Sequence, residues 1–182
     1  MITLSRRSLL LAAAAAIPAR TEELGAGKLL VATQKSRDPD LEESVILLIQ
    51  FSSEGVIGLM LNRPTRMPVA RLFPDLKTAR GEVYDGGPID LGIRGLLRTR
   101  SKPIAGERDF GDVYWVGDRK AIEGLAAAGA SARRFRVYSG YTGWTPGQLK
   151  NEVASGLWQV TPPDAAVVFD PDPTAVWSRL IG

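Results

Sequence analysis

Ser139-Gly-Tyr-Thr-Gly-Trp-Thr-Pro-Gly-Gln-Leu-Lys-Asn-Glu-Val-Ala-Ser-Gly-Leu-Trp-Gln-Val160 carries its own structural punctuation. Thr145, Pro146 and Gln148 spell a helix start: a capping hydroxyl, a proline at the first helical position, and Gln three residues after the cap. Leu149, Val153 and Leu157 form an apolar stripe, and Gly156 stands where a C-terminal cap is expected. The run before the cap is not demanded by helix chemistry. Gly140, Tyr141, Gly143 and Trp144 place two glycines and two aromatics in what reads as one turn, either a tight packing joint or a binding surface.

Working upstream, Phe135–Tyr138 reads as a strand. Asp118 caps a helix running to about Ala128, closed by Gly129, and Val113–Val116 is the strand before it. Strand, helix, strand, helix points to a parallel crossover. Downstream, Trp158–Val160 and Val167–Phe169 read as late strands and Thr174–Leu180 as a terminal helix. In the first half, Lys28–Thr33 is a short apolar strand. Val45–Phe51 and Val56–Leu61 are nearly continuous apolar runs joined by Ser52-Ser-Glu-Gly55, which predicts a hairpin buried on both faces. Val69–Phe73 is one helical turn stopped by Pro74, Leu96–Arg98 a weak strand, and Ser101–Asp112 a flexible loop. These elements add up to a single α+β domain around a mixed β-sheet with flanking helices.

The first nineteen residues stand apart. Ser5-Arg-Arg-Ser-Leu-Leu-Leu11, the alanines 12–16, Ile17, Pro18 and Ala19 give a basic start, a nine-residue apolar run from Leu9 to Ile17 and small residues suited to cleavage. That is the plan of a signal peptide, and the paired Arg6-Arg7 suggests the twin-arginine route. A membrane span needs about 20 apolar residues, so this run is too short for one. Cleavage after Ala19 leaves 20–182 as the mature domain, in the periplasm or another extracytoplasmic space, with no transmembrane segment. An amphipathic or disordered N-terminal tail in a cytoplasmic protein is the alternative.

The 182-residue chain is 45% hydrophobic and 24% charged, enough to bury a core. Its formal charge is +3, and setting Arg6 and Arg7 aside leaves 21 basic against 20 acidic residues. Such a balance supplies no strong field for nucleic acid, despite a sequence pI near 9.4. The basic clusters Arg94, Arg98, Arg100, Lys102 and Arg133, Arg134, Arg136 therefore read as solvated faces. The chain has no histidine and no cysteine. This removes disulfides, thiolate nucleophiles, histidine bases and Cys/His metal sites. No cofactor motif is present, and no P-loop pattern occurs. The carboxylate pair Asp170/Asp172 sits in a rigid Asp-Pro-Asp-Pro turn, and Glu42/Glu43 forms a second pair. No metal site is expected from either.

Two further segments are richer in special residues than local structure requires. Asn62-Arg63-Pro64 ends a strand and could present Arg63 as an anion clamp. Tyr84-Asp-Gly-Gly-Pro88 could aim the N–H groups of Gly86 and Gly87 into one concavity. With Tyr141 and Trp144 as stacking surfaces, Asn62, Arg63, Gly86, Gly87, Tyr141 and Trp144 are the candidate ligand-binding residues. No catalytic residues are indicated.

Gly27-Lys-Leu-Leu-Val-Ala32, Asp38-Pro-Asp-Leu-Glu-Glu-Ser-Val45, Glu54-Gly-Val-Ile-Gly-Leu-Met-Leu-Asn-Arg-Pro64, Tyr84-Asp-Gly-Gly-Pro88 and the 139–160 stretch form an ordered set. From about Gly27 to the C-terminus the chain resembles the YqgE/AlgH family of small bacterial proteins. The resemblance implies an α+β fold and a role as a regulator or interaction protein. Typical members look cytoplasmic and lack such a leader. The expected function is thus non-catalytic regulation or interaction, after export, with an unknown protein partner or small ligand. Two alternatives remain: an enzyme or small-ligand binder using the six candidate residues, and a cytoplasmic transcription-linked regulator. Export argues against a nucleic-acid partner.

Overall fold

The structure is a computed structural model that describes residues 23–77 and 79–182. The expected leader over residues 1–19, and its boundary at residue 20, lie outside the described residues. Among the described residues the strands are β1 (Leu29–Ala32), β2 (Val45–Phe51), β3 (Val56–Met60), β4 (Pro64–Pro68), β5 (Glu82–Asp85), β6 (Ile89–Arg98), β7 (Gly106–Phe110), β8 (Val113–Val116), β9 (Phe135–Trp144) and β10 (Trp158–Thr161). The helices are α1 (Arg119–Ala127), α2 (Pro146–Ala154), α3 (Ala165–Val168) and α4 (Val176–Ile181). A 3-10 turn spans Val69–Arg71 where one helical turn was expected.

The apolar runs build the centre. β2 and β3 form the expected hairpin, and Ile46, Leu48, Leu47 and Ile49 are buried on alternate faces of it. The sheet order is β10-β1-β2-β3-β9-β6-β8-β7, with β5 beside β9 and β4 beside β5. All pairings are antiparallel except β5 with β9. The sheet is therefore mixed by one pairing, and it curls.

β9 is the seam. One edge pairs with β6 from Phe135 to Tyr141. The other edge changes partner: Val137–Ser139 lie beside β5, and Thr142–Trp144 lie beside β3. Gly140 sits at the change with φ +73°, a conformation that costs a glycine little. The Gly140–Trp144 run is accordingly strand, where the sequence reads as a turn. Its glycines serve the neighbouring chain and reverse nothing.

The crossover expectation holds in an extended form. β8 and β9 each run antiparallel to β6, so they are parallel to one another across it, and α1 connects them. β9 and β10 are likewise parallel, joined by α2 across β3, β2 and β1. Both helix starts carry the expected caps. Asp118 Oδ1 accepts from Ala121 N at 2.8 Å, and Thr145 Oγ1 accepts from Gln148 N at 3.1 Å.

One sheet face carries a continuous core that includes Leu47, Leu59, Leu96 and Tyr138, covered by α3 and α4 through Val168 and Val176. The opposite face carries two clusters. Leu149 of α2 packs on Ile46, Leu48 and Met60, and Ile122 of α1 packs on Leu97, Phe135 and Val137. Leu149 and Ile122 are both fully buried, and truncating either to alanine costs about 2–5 kcal/mol.

Several expectations are corrected. Val167–Phe169 is not a strand: Asp164 Oδ1 accepts from Ala166 N at 2.7 Å and starts α3. The 101–112 segment contains β7, and the weak strand at Leu96 extends back to Ile89. Arg136 is not solvated but 4% exposed. Its guanidinium donates to the carbonyls of Ala132 (3.2 Å), Val168 (2.9 Å) and Asp170, and lies 4.8 Å from the Tyr84 ring centroid. Carbonyl dipoles and an aromatic face replace the water that burial removes.

Candidate functional site

Asn62 spends its side chain on the hairpin. Its Oδ1 accepts from Val45 N at 2.9 Å and its Nδ2 donates to Glu43 O at 2.8 Å. This clamp holds Glu43 in the left-handed region at φ +53°. Arg63 Nη2 donates to Glu42 O at 3.0 Å. Both residues line a cleft of about 330 Å³ that Glu42, Glu43 and Trp177 share. Two carboxylates beside one arginine make that cleft a poor anion clamp.

The glycine pair is buried. Gly86 N donates to Ser139 O at 2.8 Å, Gly86 O accepts from Met60 N at 3.0 Å, and Gly87 N donates to Asp85 Oδ1 at 3.0 Å. Both N–H donors are therefore taken within the fold. A Cβ on Gly86 would collide with Gly140 O, and one on Gly87, whose φ is +144°, would collide with Tyr141 and Thr142. Close backbone approach explains both glycines.

Tyr141 is half-buried on β9, with the Arg94 guanidinium 4.3 Å from its ring centroid. Trp144 is buried beneath α2 and meets Trp158 edge-on, centroids 6.0 Å apart at 87°. Glu152 Oε2 accepts both indole N–H groups, at 2.9 Å from Trp144 and 2.8 Å from Trp158. Its Oε1 accepts from Gln148 Nε2 at 3.0 Å. Gln148 thus turns to Glu152, not back to the cap.

The three motifs do meet, but through the main chain. Asp85 N donates to Arg63 O at 2.9 Å, and Gly86 bridges Met60 and Ser139. Their side chains diverge: Arg63 toward Glu42, Trp144 beneath α2, Tyr141 beneath Arg94.

The family profile described as AlgH-like (DUF179) matches residues 29–182. The chain belongs to the AlgH-like family. A UPF0301 protein of Streptomyces coelicolor is 34% identical over 165 residues, covering 85% of this chain and 84% of its own. A UPF0301 protein of Chlorobaculum tepidum is 30% identical over 162 residues, covering 88% and 87%. The solution structure of the AlgH protein from Pseudomonas aeruginosa aligns with TM-score 0.68 at 25% identity, over 85% of each chain. The crystal structure of protein DIP2367 from Corynebacterium diphtheriae aligns with TM-score 0.74 at 24% identity, over 87% and 86%. The AlgH-like fold, a single domain with a curled sheet and a few helices, is thereby established for this chain.

On this AlgH-like scaffold a second cleft, of about 360 Å³, lies apart from the six candidate residues. Ile49 and Ile57 of the hairpin, Leu91–Arg94 of β6, Trp115 of β8 and Arg119 of α1 line it. β6 departs from regular pairing with β9 between Ile89 and Ile93, and Gly92 takes φ +72°. The irregularity pushes Leu91 out to 65% exposure, and Arg94 Nη1 donates back to Leu91 O at 3.2 Å. Leu91-Gly92, an apolar residue before a glycine, was the available sequence signal. The cleft holds two arginines and no carboxylate. Among the described residues, no group of three or more carboxylates could hold a metal ion, and no helix is long and apolar enough to cross a membrane.

Proposed function

We propose that this AlgH-like protein is a non-catalytic regulatory or interaction protein that is exported by the twin-arginine route and binds its partner through the cleft lined by the β2–β3 hairpin, the β6 bulge, Trp115 and Arg119. The observation that carries this reading is Leu91, 65% exposed on the β6 bulge beside Trp115, with Arg94 stacked on Tyr141. Trp115, Tyr141 and Arg94 are of the residue types enriched in interaction hot spots, and Leu91 adds exposed apolar surface beside them. The absence of histidine and cysteine from the sequence supports binding over catalysis. So does the use of Asn62, Gly86, Gly87 and Trp144 as internal ties. Of the six residues first singled out, Tyr141 belongs to the proposed surface as the platform beneath Arg94.

The test combines location with capture. Intact-mass analysis of periplasmic and cytoplasmic fractions is expected to find a chain beginning at Arg20 outside the cytoplasm, and Arg6→Lys with Arg7→Lys to retain the precursor inside. A pull-down from the periplasmic fraction is expected to lose its partner on Leu91→Asp while the melting temperature stays unchanged. An uncleaved cytoplasmic chain refutes the export half. A partner retained by Leu91→Asp refutes the surface.

A second reading is a small ligand at the Asn62–Arg63 cleft, favoured by the convergence of those two residues with Trp177 on one concavity. It predicts that Arg63→Ala abolishes ligand-induced thermal stabilisation with little loss of intrinsic stability.

A further inference from the structure

Two basic clusters far apart in the sequence meet at one place. β6 pairs with β9 so that Leu97 lies opposite Phe135, and Arg98 N donates to Arg134 O at 2.7 Å. This register sets Arg98 and Arg100 beside Arg133 and Arg134 around a cleft of about 640 Å³. Asp112 supplies a carboxylate and is already bound to Arg98 Nε at 2.9 Å. Arg134 Nε turns back toward Arg98 O at 3.4 Å. Arg100 and Arg133 are exposed and form no ion pair among the described residues.

Four guanidinium groups thus share one carboxylate, in a chain whose whole formal charge is only +3. Like charges at close quarters repel, and that repulsion is relieved when an anion enters. The rest of the wall is polar: Thr99 and Ser101 contribute hydroxyls, and no aromatic side chain lines it. That composition offers no stacking surface for a nucleobase. Forked guanidinium donors match tetrahedral oxyanions bidentately. The cleft is wide enough for more than one such group.

We infer that this cleft binds clustered phosphate groups, carried by a soluble oligophosphate or by a phosphorylated lipid headgroup. Arg100 and Arg133 are the principal contacts. Arg98 and Arg134, held by Asp112 and by the Arg98 carbonyl, form the fixed frame. The site lies on the β6–β9 end of the sheet and does not depend on the partner surface proposed above.

The experiment is titration calorimetry of the full chain with inorganic tripolyphosphate. Vesicle flotation is its second arm, with phosphatidylcholine vesicles with and without phosphatidic acid. Binding is expected to weaken as salt rises from about 50 to about 500 mM. Arg100→Ala with Arg133→Ala is expected to lower affinity at least about tenfold, the loss of two charge-assisted contacts, with an unchanged melting temperature. Arg37→Ala with Lys150→Ala removes the same charge elsewhere and is expected to change affinity by less than about twofold. Binding of phosphatidic acid vesicles alone, lost in the cleft variant, supports the site and assigns the lipid source. Binding of neither probe overturns the inference. So does equal weakening by both double variants, because the response would then follow net charge.

Discussion

Replacing Glu152 by alanine is expected to loosen the whole α2 side of the sheet. Glu152 accepts three hydrogen bonds, two of them from the indoles of Trp144 and Trp158, which are 6% and 4% exposed. Removing the carboxylate strands two buried donors, each costing about 1–3 kcal/mol, so Glu152→Ala is expected to lose about 2–6 kcal/mol. For a domain of this size each kcal/mol shifts the melting temperature by roughly 2–4 °C, which places the drop between about 4 and about 24 °C. Glu152→Gln is the informative companion. Its single carbonyl oxygen has two lone pairs and can still accept from both indoles, so its loss is expected to stay near about 1 kcal/mol. Urea denaturation followed by tryptophan fluorescence measures both. A loss below about 1 kcal/mol for Glu152→Ala, or equal losses for the two variants, refutes the claim that the carboxylate satisfies buried indoles.

Further outcomes follow from the same geometry. Burial pushes the Asp109 carboxyl up to about 7 from its usual 3.8; the nearby Gly27 N–H offsets this only in part, because it is committed to Leu48 O at 2.7 Å, and neither carboxylate oxygen has a hydrogen-bond partner among the described residues. The folded state therefore holds this proton more tightly. Its stabilising contribution is full below the unfolded value of 3.8 and is lost as pH rises to about 7. Asp109→Asn is expected to flatten the stability profile across that window and to gain up to about 4 kcal/mol at pH 8, read by denaturation at a series of pH values. Gly87→Ala, forced against Tyr141 and Thr142 at φ +144°, is expected to cost about 2–5 kcal/mol in the same assay. Gly124→Ala, in the open middle of α1, is expected to stabilise by about 0.5–1 kcal/mol.

Local chemistry was the legible part of the sequence. The starts of α1 and α2 were readable because Asp118 and Thr145 bond to amides three residues ahead. The β2–β3 hairpin was readable because a strand buried on both faces has an uninterrupted apolar run. Pro64–Pro68 and Gly106–Phe110 were missed for the complementary reason. These strands lie at sheet edges, are largely exposed, and follow their neighbours without a pattern of their own. The Gly140–Trp144 run misled because its glycines answer to Gly86, Gly87 and Ile89, more than fifty residues away. The candidate site was half legible. The segments that meet could be named, since their special residues exceed local need. Side-chain directions depend on strand parity across the Gly140 irregularity, which no local rule supplies. Arg136 shows the same limit: the other arginines of its cluster, Arg133 and Arg134, are exposed, and two of its carbonyl partners come from α3 and the Asp-Pro turn.

The partner-switching sheet also imposes a timetable on synthesis. β1 is clasped between β2 and β10, with Leu29 opposite Thr161. While the chain emerges from the ribosome, β1 and β2 can meet at once, but the other edge of β1 stays bare until β10 appears. β3 likewise waits for the second half of β9. β1 and β3 thus each present one unpaired apolar edge for most of translation, the interval in which strand edges recruit other chains. Closure then comes late and in quick succession, when β9, α2 and β10 arrive as one continuous stretch of chain.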